Sequence, residues 1–294
     1  MSRAMTPADL IITPRDRRFG RDQETVQQRW WHGNDPFATA FYNALSLTFP
    51  KGEAFFVESV KAFRDGTPDR LGQEIRAFTK QEVMHSREHV AFNRRVIDAG
   101  YDVTRIERQV AESLELTRDR PPIANLIVTM ALEHFTAIIA QQLLANPKHL
   151  AGADAESRQL WRWHAAEEIE HKGVAYDTFL HATRDWTRWR RWKVKSIVML
   201  KVTQQFTTKR ITGMLDLLAQ DGITGPRALA GILRYVFVSP GMFRKVAGAW
   251  LAWFLPGFHP WKHDDRALIG LYESDYQAAV MSHEGAAAPV AAHA

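Results

Sequence analysis

From Ile123 to Ala145 the chain is apolar almost without interruption, and Glu133 with its neighbour His134 are the only ionisable groups in that run. Elsewhere in the first half, apolar residues recur every three to four positions. No stretch alternates with the period of two that a half-buried strand requires, so the predicted class is all-α. Breakers mark the ends of the helices. Asp35-Pro36 predicts a capped start, Asp as N-cap and Pro in the first turn, for a helix from about Phe37 to Thr48. Pro50 opens a second helix that holds Glu53 and reaches Asp65, and Gly66 to Asp69 is a turn. A long helix then runs from Asp69 to Ala99 and is closed by Gly100. A charged connecting helix is expected over residues 104–118. Pro121-Pro122 opens the apolar helix, Asn146-Pro147 ends it, and Asp154 starts a helix expected to continue to about Thr183.

The second half has a different texture. Between Arg184 and Lys195, Trp186, Trp189 and Trp192 are interleaved with Arg188, Arg190, Arg191 and Lys193. An amphipathic helix to about Ala219 follows, then a turn at Asp221-Gly222 and a helix from Pro226 that Ser239-Pro240-Gly241 interrupts. Pro256 to Trp261 forms an aromatic turn before a last helix from Asp264 to Met281. The expected organisation is an extended or loosely packed arm (1–35), a metal-binding helical bundle (36–183), an aromatic and basic helical region packed on it (184–284) and a disordered tail (285–294).

The candidate chemistry lies on the helices. In Trp161 to His171, which lacks Gly and Pro, His164, Glu168 and His171 fall at i, i+4 and i+7 and share one helical face. Glu-x-x-His occurs twice, as Glu82 to His85 and as Glu168 to His171. A lone carboxylate in an apolar helix, as Glu133 is, must be paired, protonated or bound to a cation. A Glu from each of two helices plus Glu-x-x-His from each of two others is the ligand recipe of carboxylate-bridged dinuclear four-helix bundles. Glu53 is the candidate fourth contributor. The midpoint between residues 53 and 82 falls in the Gly66–Asp69 turn, and that between 133 and 168 falls in the Asn146–Gly152 loop. Both antiparallel pairs would therefore bring their ligands level, roughly 20–25 Å from the turns at about 1.5 Å per residue. The expected ligands are Glu53, Glu82, His85, Glu133, His164, Glu168 and His171. His89 is expected beside them as an orienting group or alternative ligand, or else as a buried structural histidine; Glu167 is expected beside the site, His134 as a structural group, and the remaining histidines at the surface. Such a donor set suits two divalent ions, iron first, with manganese or zinc as alternatives.

Composition removes some classes and adds one. There are no cysteines, which excludes disulfides, thiolate zinc sites and cysteine nucleophiles. No His-Glu-x-x-His, Gly-x-Ser-x-Gly, P-loop or Gly-x-Gly-x-x-Gly motif is present, and nothing points to nucleic acid. The net charge of +5 is modest, and its distribution matters more than its sum. Residues 121–145 are long enough to span a bilayer, but Glu133-His134 at the centre predicts a buried bundle helix instead. Residues 184–261 suit peripheral contact with anionic lipid, or else an aromatic cover over the bundle with solvated basic groups. With no charged-then-apolar leader at its start, the chain is expected to be cytoplasmic, at most peripheral to the inner face of a membrane.

On Phe49 to Glu53, Glu82 to His85, Ala131 to Phe135, His164 to His171 and Pro256 to Trp261, the chain resembles the bacterial family labelled predicted metal-dependent hydrolase. That resemblance covers most of the chain and implies a ferritin-like all-α fold: a four-helix bundle with a crossover and additional C-terminal helices. The ligand order is also similar to that of the aryl-amine N-oxygenases, non-haem di-iron enzymes whose third histidine, four residues before the last Glu, matches His164. By that likeness the seven side chains would hold two irons. The favoured expectation is a di-iron oxygenase acting on a small organic substrate with an electron donor. The alternative is a hydrolase that uses a metal-bridging hydroxide, and a further one is a membrane-surface or partner-binding helical protein. A lipophilic substrate would connect the enzyme readings with the basic, aromatic region.

Overall fold

A computed structural model describes residues 6–19 and 28–287, the side chains of 281–287 excepted. Among the described residues there are helices and one isolated bridge between His32 and Ala153, and no strand. The helices are α1 (Pro36–Ser46), α2 (Phe49–Lys61), α3 (Asp69–Asp98), α4 (Thr104–Glu115), α5 (Pro122–Ala145), α6 (Ala155–His171), α7 (Val174–Ala182), α8 (Arg188–Gln220), α9 (Gly225–Leu233), α10 (Met242–Ala252) and α11 (Arg266–Ala287). Asp35 caps α1, accepting from the Phe37 and Ala38 amides, and Asp154 caps α6 through the Ser157 amide.

Two helical hairpins position the site. α2 packs along α3 across residues 62–68, and α5 along α6 across residues 146–154; α2 also touches α5, and α3 touches α6. α5 is long and apolar enough to cross a membrane, yet most of it is buried between α2, α6, α7, α8 and α10. α8 lies against α1 and α5. α10 runs antiparallel to α8: Phe243 meets Phe206, Trp250 Nε1 donates to Thr203 (2.9 Å) and Trp192 Nε1 donates to the Phe254 carbonyl (2.8 Å).

Four expectations need correction. The helix expected from Asp154 to Thr183 is broken at Lys172-Gly173. There the aromatic turn and the arm press on the backbone, and a Cβ on Gly173 would stand 2.6 Å from Thr6 Oγ1 and 2.9 Å from the Trp261 ring. Residues 6–19 of the arm are extended but not loosely packed, for Ile12 and Phe19 are buried and Phe19 sits against Trp163. His32, His149 and His259 are buried rather than at the surface. His32 stacks on Tyr42 and bonds the His149 carbonyl (3.0 Å), and His259 is held by Asp177 (3.0 Å). The last helix continues past Met281 to Ala287, so Gly285–Ala287 are helical, and the expected disorder of 288–294 lies outside the described residues.

Candidate metal centre

All seven expected ligands converge between α2, α3, α5 and α6, each at most 4 % exposed. Glu53 comes from α2, Glu82 and His85 from one stripe of α3, Glu133 from α5, and His164, Glu168 and His171 from one stripe of α6. His171 Nε2 lies 3.2 Å from Glu82 Oε1, 3.4 Å from Glu133 Oε2 and 3.7 Å from Glu168 Oε2. His85 Nδ1 lies 3.8 Å from both Glu82 Oε2 and Glu168 Oε1. At the far end His164 Nε2 is 2.8 Å from Glu168 Oε1 and 3.8 Å from Glu53 Oε1. Glu82 and Glu168 therefore reach both ends of the cluster, with Glu53, His85 and His164 toward one end and Glu133 and His171 toward the other.

The arrangement does not balance internally. Both oxygens of Glu82 and of Glu133, one of Glu53, one of Glu168, His85 Nδ1 and His171 Nε2 are buried without a hydrogen-bond partner. Buried polar atoms are nearly always satisfied, so this many orphans in one place indicate that an ion belongs there. Several triplets of these groups bring one donor atom each within 4.8 Å of one another.

The hydrogen bonds around His164 also leave acceptors that face one another. Asn93 Nδ2 donates to the Ser46 carbonyl (3.2 Å), so its oxygen accepts from Ser46 Oγ (2.6 Å). With its proton committed, Ser46 Oγ accepts from His89 Nδ1 (2.8 Å), and His89 Nε2 then accepts from His164 Nδ1 (2.6 Å). Burial drives His164 down to about 4, helped by charge on His85, and holds His89 well below the usual imidazole range. Both rings are neutral, and His164 Nε2 presents a lone pair to the Glu168 and Glu53 carboxylates. Acceptors facing acceptors call for a cation between them.

Further contacts orient the imidazoles. Glu167 Oε2 accepts from His85 Nε2 (2.9 Å), Gln81 Oε1 accepts from His171 Nδ1 (3.0 Å), and Ser86 Oγ donates to Glu53 (2.8 Å). For His85 and His171 the other ring nitrogen is left facing the cluster, as metal-binding histidines require. Gln81 Nε2 in turn donates to Glu170 (2.7 Å). Arg15 on the arm spans Glu167, through its backbone amide (2.8 Å), and Glu170, through its guanidinium (3.0 Å). Gln81, Arg15, Glu170, Ser46 and Ser86 carry no motif. They are found only once the fold brings the arm and α3 against α6.

The charges of the cluster oppose one another. Burial, then repulsion from Glu82, pushes Glu133 up to about 8, and burial raises Glu53 and Glu82 as well. Burial pulls His85 the other way, but the Glu167 and Glu82 carboxylates outweigh it and hold the ring up at about 10. Four carboxylates this close cannot all ionise without added positive charge. An apolar cavity of about 20 Å³ touches His164 and Glu168, walled by Phe49, Ile139, Ala140 and Phe206. It has room for about one water.

The family model described as "Predicted metal-dependent hydrolase" matches residues 13–264. The chain belongs to this family. The match includes the arm from Thr13, every residue of the cluster and the aromatic turn, so the family assignment and the buried His/Glu site concern the same part of the molecule. No curated protein and no solved structure matches the chain. The likeness to aryl-amine N-oxygenases therefore rests on ligand order alone. The preference for a di-iron oxygenase gains nothing from the family, whose description is the hydrolytic alternative.

Proposed function

We propose that the protein is a metal-dependent hydrolase whose centre holds two divalent ions on Glu53, Glu82, His85, Glu133, His164, Glu168 and His171. One observation carries this reading: buried, partnerless donor atoms of Glu53, Glu82, His85, Glu133, Glu168 and His171 lie together in a chain of this family. When bound, the ions would polarise an ester, amide or phosphate group and acidify water. Everything else falls to the protein. Glu82 and Glu168 reach both ends of the cluster and would hold the two positions in register. Glu167 and Gln81 fix the imidazoles of His85 and His171. Phe49, Ile139 and Phe206 exclude bulk water where His164 and Glu168 meet the apolar cavity. Phe206 is held in that wall by stacking on Phe135 (centroids 4.9 Å apart). Proton traffic has a route on the chain itself, from His164 Nδ1 through His89 to Ser46.

A second reading, an O2-dependent di-iron oxidoreductase, is favoured by one observation: four carboxylates to three imidazoles is an oxygen-rich donor set of the kind that di-iron bundles use. The test is metal analysis of protein purified without chelators, followed by p-nitrophenyl ester turnover under argon and under air. Two metal equivalents with equal turnover in both gases is the expected result. Dioxygen consumption by iron-loaded protein with no ester turnover would replace it with the second reading. Glu133→Ala should lose one metal equivalent; retention of both removes Glu133 from the set.

A further inference from the structure

We propose that the cavity between α7, the start of α8 and residues 256–262 binds a small amphiphile with an anionic headgroup, a carboxylate or phosphate on an apolar chain. This site is separate from the metal cluster and does not depend on that reading. The cavity measures about 640 Å³, which falls inside the range of small-molecule sites, roughly 300–1,000 Å³. Phe179, Leu180, Trp189, Trp192 and Phe258 give it apolar walls. Its charged lining is Arg188, Arg191, Lys195 and Lys262, and no Asp or Glu lines it.

Lys195 carries the argument. It is 4 % exposed, its ammonium donates to the neutral Trp253 carbonyl, and it stands 4.6 Å from the Trp253 ring and 5.0 Å from the Phe258 ring. Among the described residues no carboxylate pairs with it. Lys172, equally buried, shows the usual solution: it too lies over a tryptophan, Trp261, but Asp265 is 2.6 Å away. A buried ammonium with no counter-charge is costly, and Arg188 and Lys262 in the same lining make the deficit larger. His259 does not supply an anion, because it is tied to Asp177, itself outside the lining. An anion seated beside Lys195 supplies the missing charge, and the rings receive its tail. A flat bilayer surface cannot reach so enclosed an ammonium, so a single molecule fits better than a membrane.

The test is calorimetric titration of the full chain with decanoate and decyl phosphate below their micelle concentrations. The expected result is one-to-one binding near ~10 µM, about tenfold weaker for decanol, which lacks the charge, and for inorganic phosphate, which lacks the tail. Lys195→Met should weaken decanoate binding about tenfold. Should that variant fold poorly, the rim pair Arg188→Glu with Lys262→Glu, both exposed, should also weaken it. Metal content should stay the same in every variant, and metal-free protein should still bind decanoate, so failure of the metal reading leaves this result distinguishable. Equal binding of decanol and decanoate, or unchanged decanoate binding in both variants, would overturn the proposal. Retention on phosphatidylglycerol vesicles with no heat from the monomeric amphiphiles would overturn it in favour of a membrane-docking face.

Discussion

The cluster between α2, α3, α5 and α6 and the cavity beside α8 both bury charge that the chain does not neutralise, and they do so with opposite sign. In the first, four carboxylates outnumber the cations that reach them; in the second, no carboxylate lines the cavity and, among the described residues, none pairs with Lys195. The imbalance extends through the sequence. Residues 184–262 hold fourteen Lys and Arg against three Asp and Glu, or +11, so the rest of a chain of net +5 carries −6. Arg210 adds to the pattern: buried, with Nε and Nη1 unpartnered, it is driven down to about 9 by burial alone. Isolated buried charge is expensive, and proteins keep it where something from outside completes it. The difference in sign then says what kind of group each region completes itself with: a cation in one, an anion in the other.

The largest expected effect comes from the residue on which the acidic region turns. Glu168 lies within 4 Å of His85, His164 and His171, spanning both ends of the cluster. Glu168→Ala should therefore lose both metal equivalents and reduce ester turnover to background, with the helical circular dichroism unchanged. Elemental analysis of the purified variant decides this. Two retained equivalents would mean that Glu168 is not shared, and that the cluster is not one centre.

A smaller effect separates holding an ion from orienting the group that holds it. Glu167 accepts from His85 Nε2 and takes the Arg15 amide on its far side. Glu167→Gln keeps an acceptor and removes the charge. By the general cost of disturbing such a partner, metal affinity should fall about 10- to 100-fold with stoichiometry preserved. Competition against a chelator measures it. An unchanged affinity would show that packing against Trp163, 4.9 Å away, orients His85 instead.

How much of this was legible in the sequence follows from how local each signal is. Glu82-x-x-His85, His164-x-x-x-Glu168-x-x-His171 and the isolated Glu133 are patterns within single helices, and the position of the two turns was enough to bring them level. The contacts that orient the ligands are of another kind. Arg15 and Glu170 are 155 positions apart, Gln81 and His171 are 90 apart, and no periodicity links them. The break at Gly173 was hidden for the same reason, since it answers to Trp261 and Thr6, which arrive only in the fold. Lys195 reads as one more cation in a basic helix until the fold buries it. Chemistry was the least legible layer: the same seven donors suit hydrolysis and oxygen activation, so ligand order alone led to the oxygenase.

The smallest expected effect tests the basic region through its own titration. Burial lowers the Lys195 ammonium to about 7 from an ordinary 10.5. Below pH 7 both the folded and the unfolded chain hold that proton, and the full cost of burying the charge opposes folding. As pH rises through 7 the folded chain releases the proton and the unfolded chain keeps it, so stability is gained until the unfolded lysine also titrates near 10.5. Between pH 7 and pH 8 the gain is about 1 kcal/mol for one such group. Lys195→Met has no proton to release, so its stability should lack that rise. Subtracting urea unfolding curves of the two proteins across this window isolates the group, because every other titration is common to both. A flat difference would mean that the folded protein already gives Lys195 a counter-charge, and the contrast between the two regions would no longer hold.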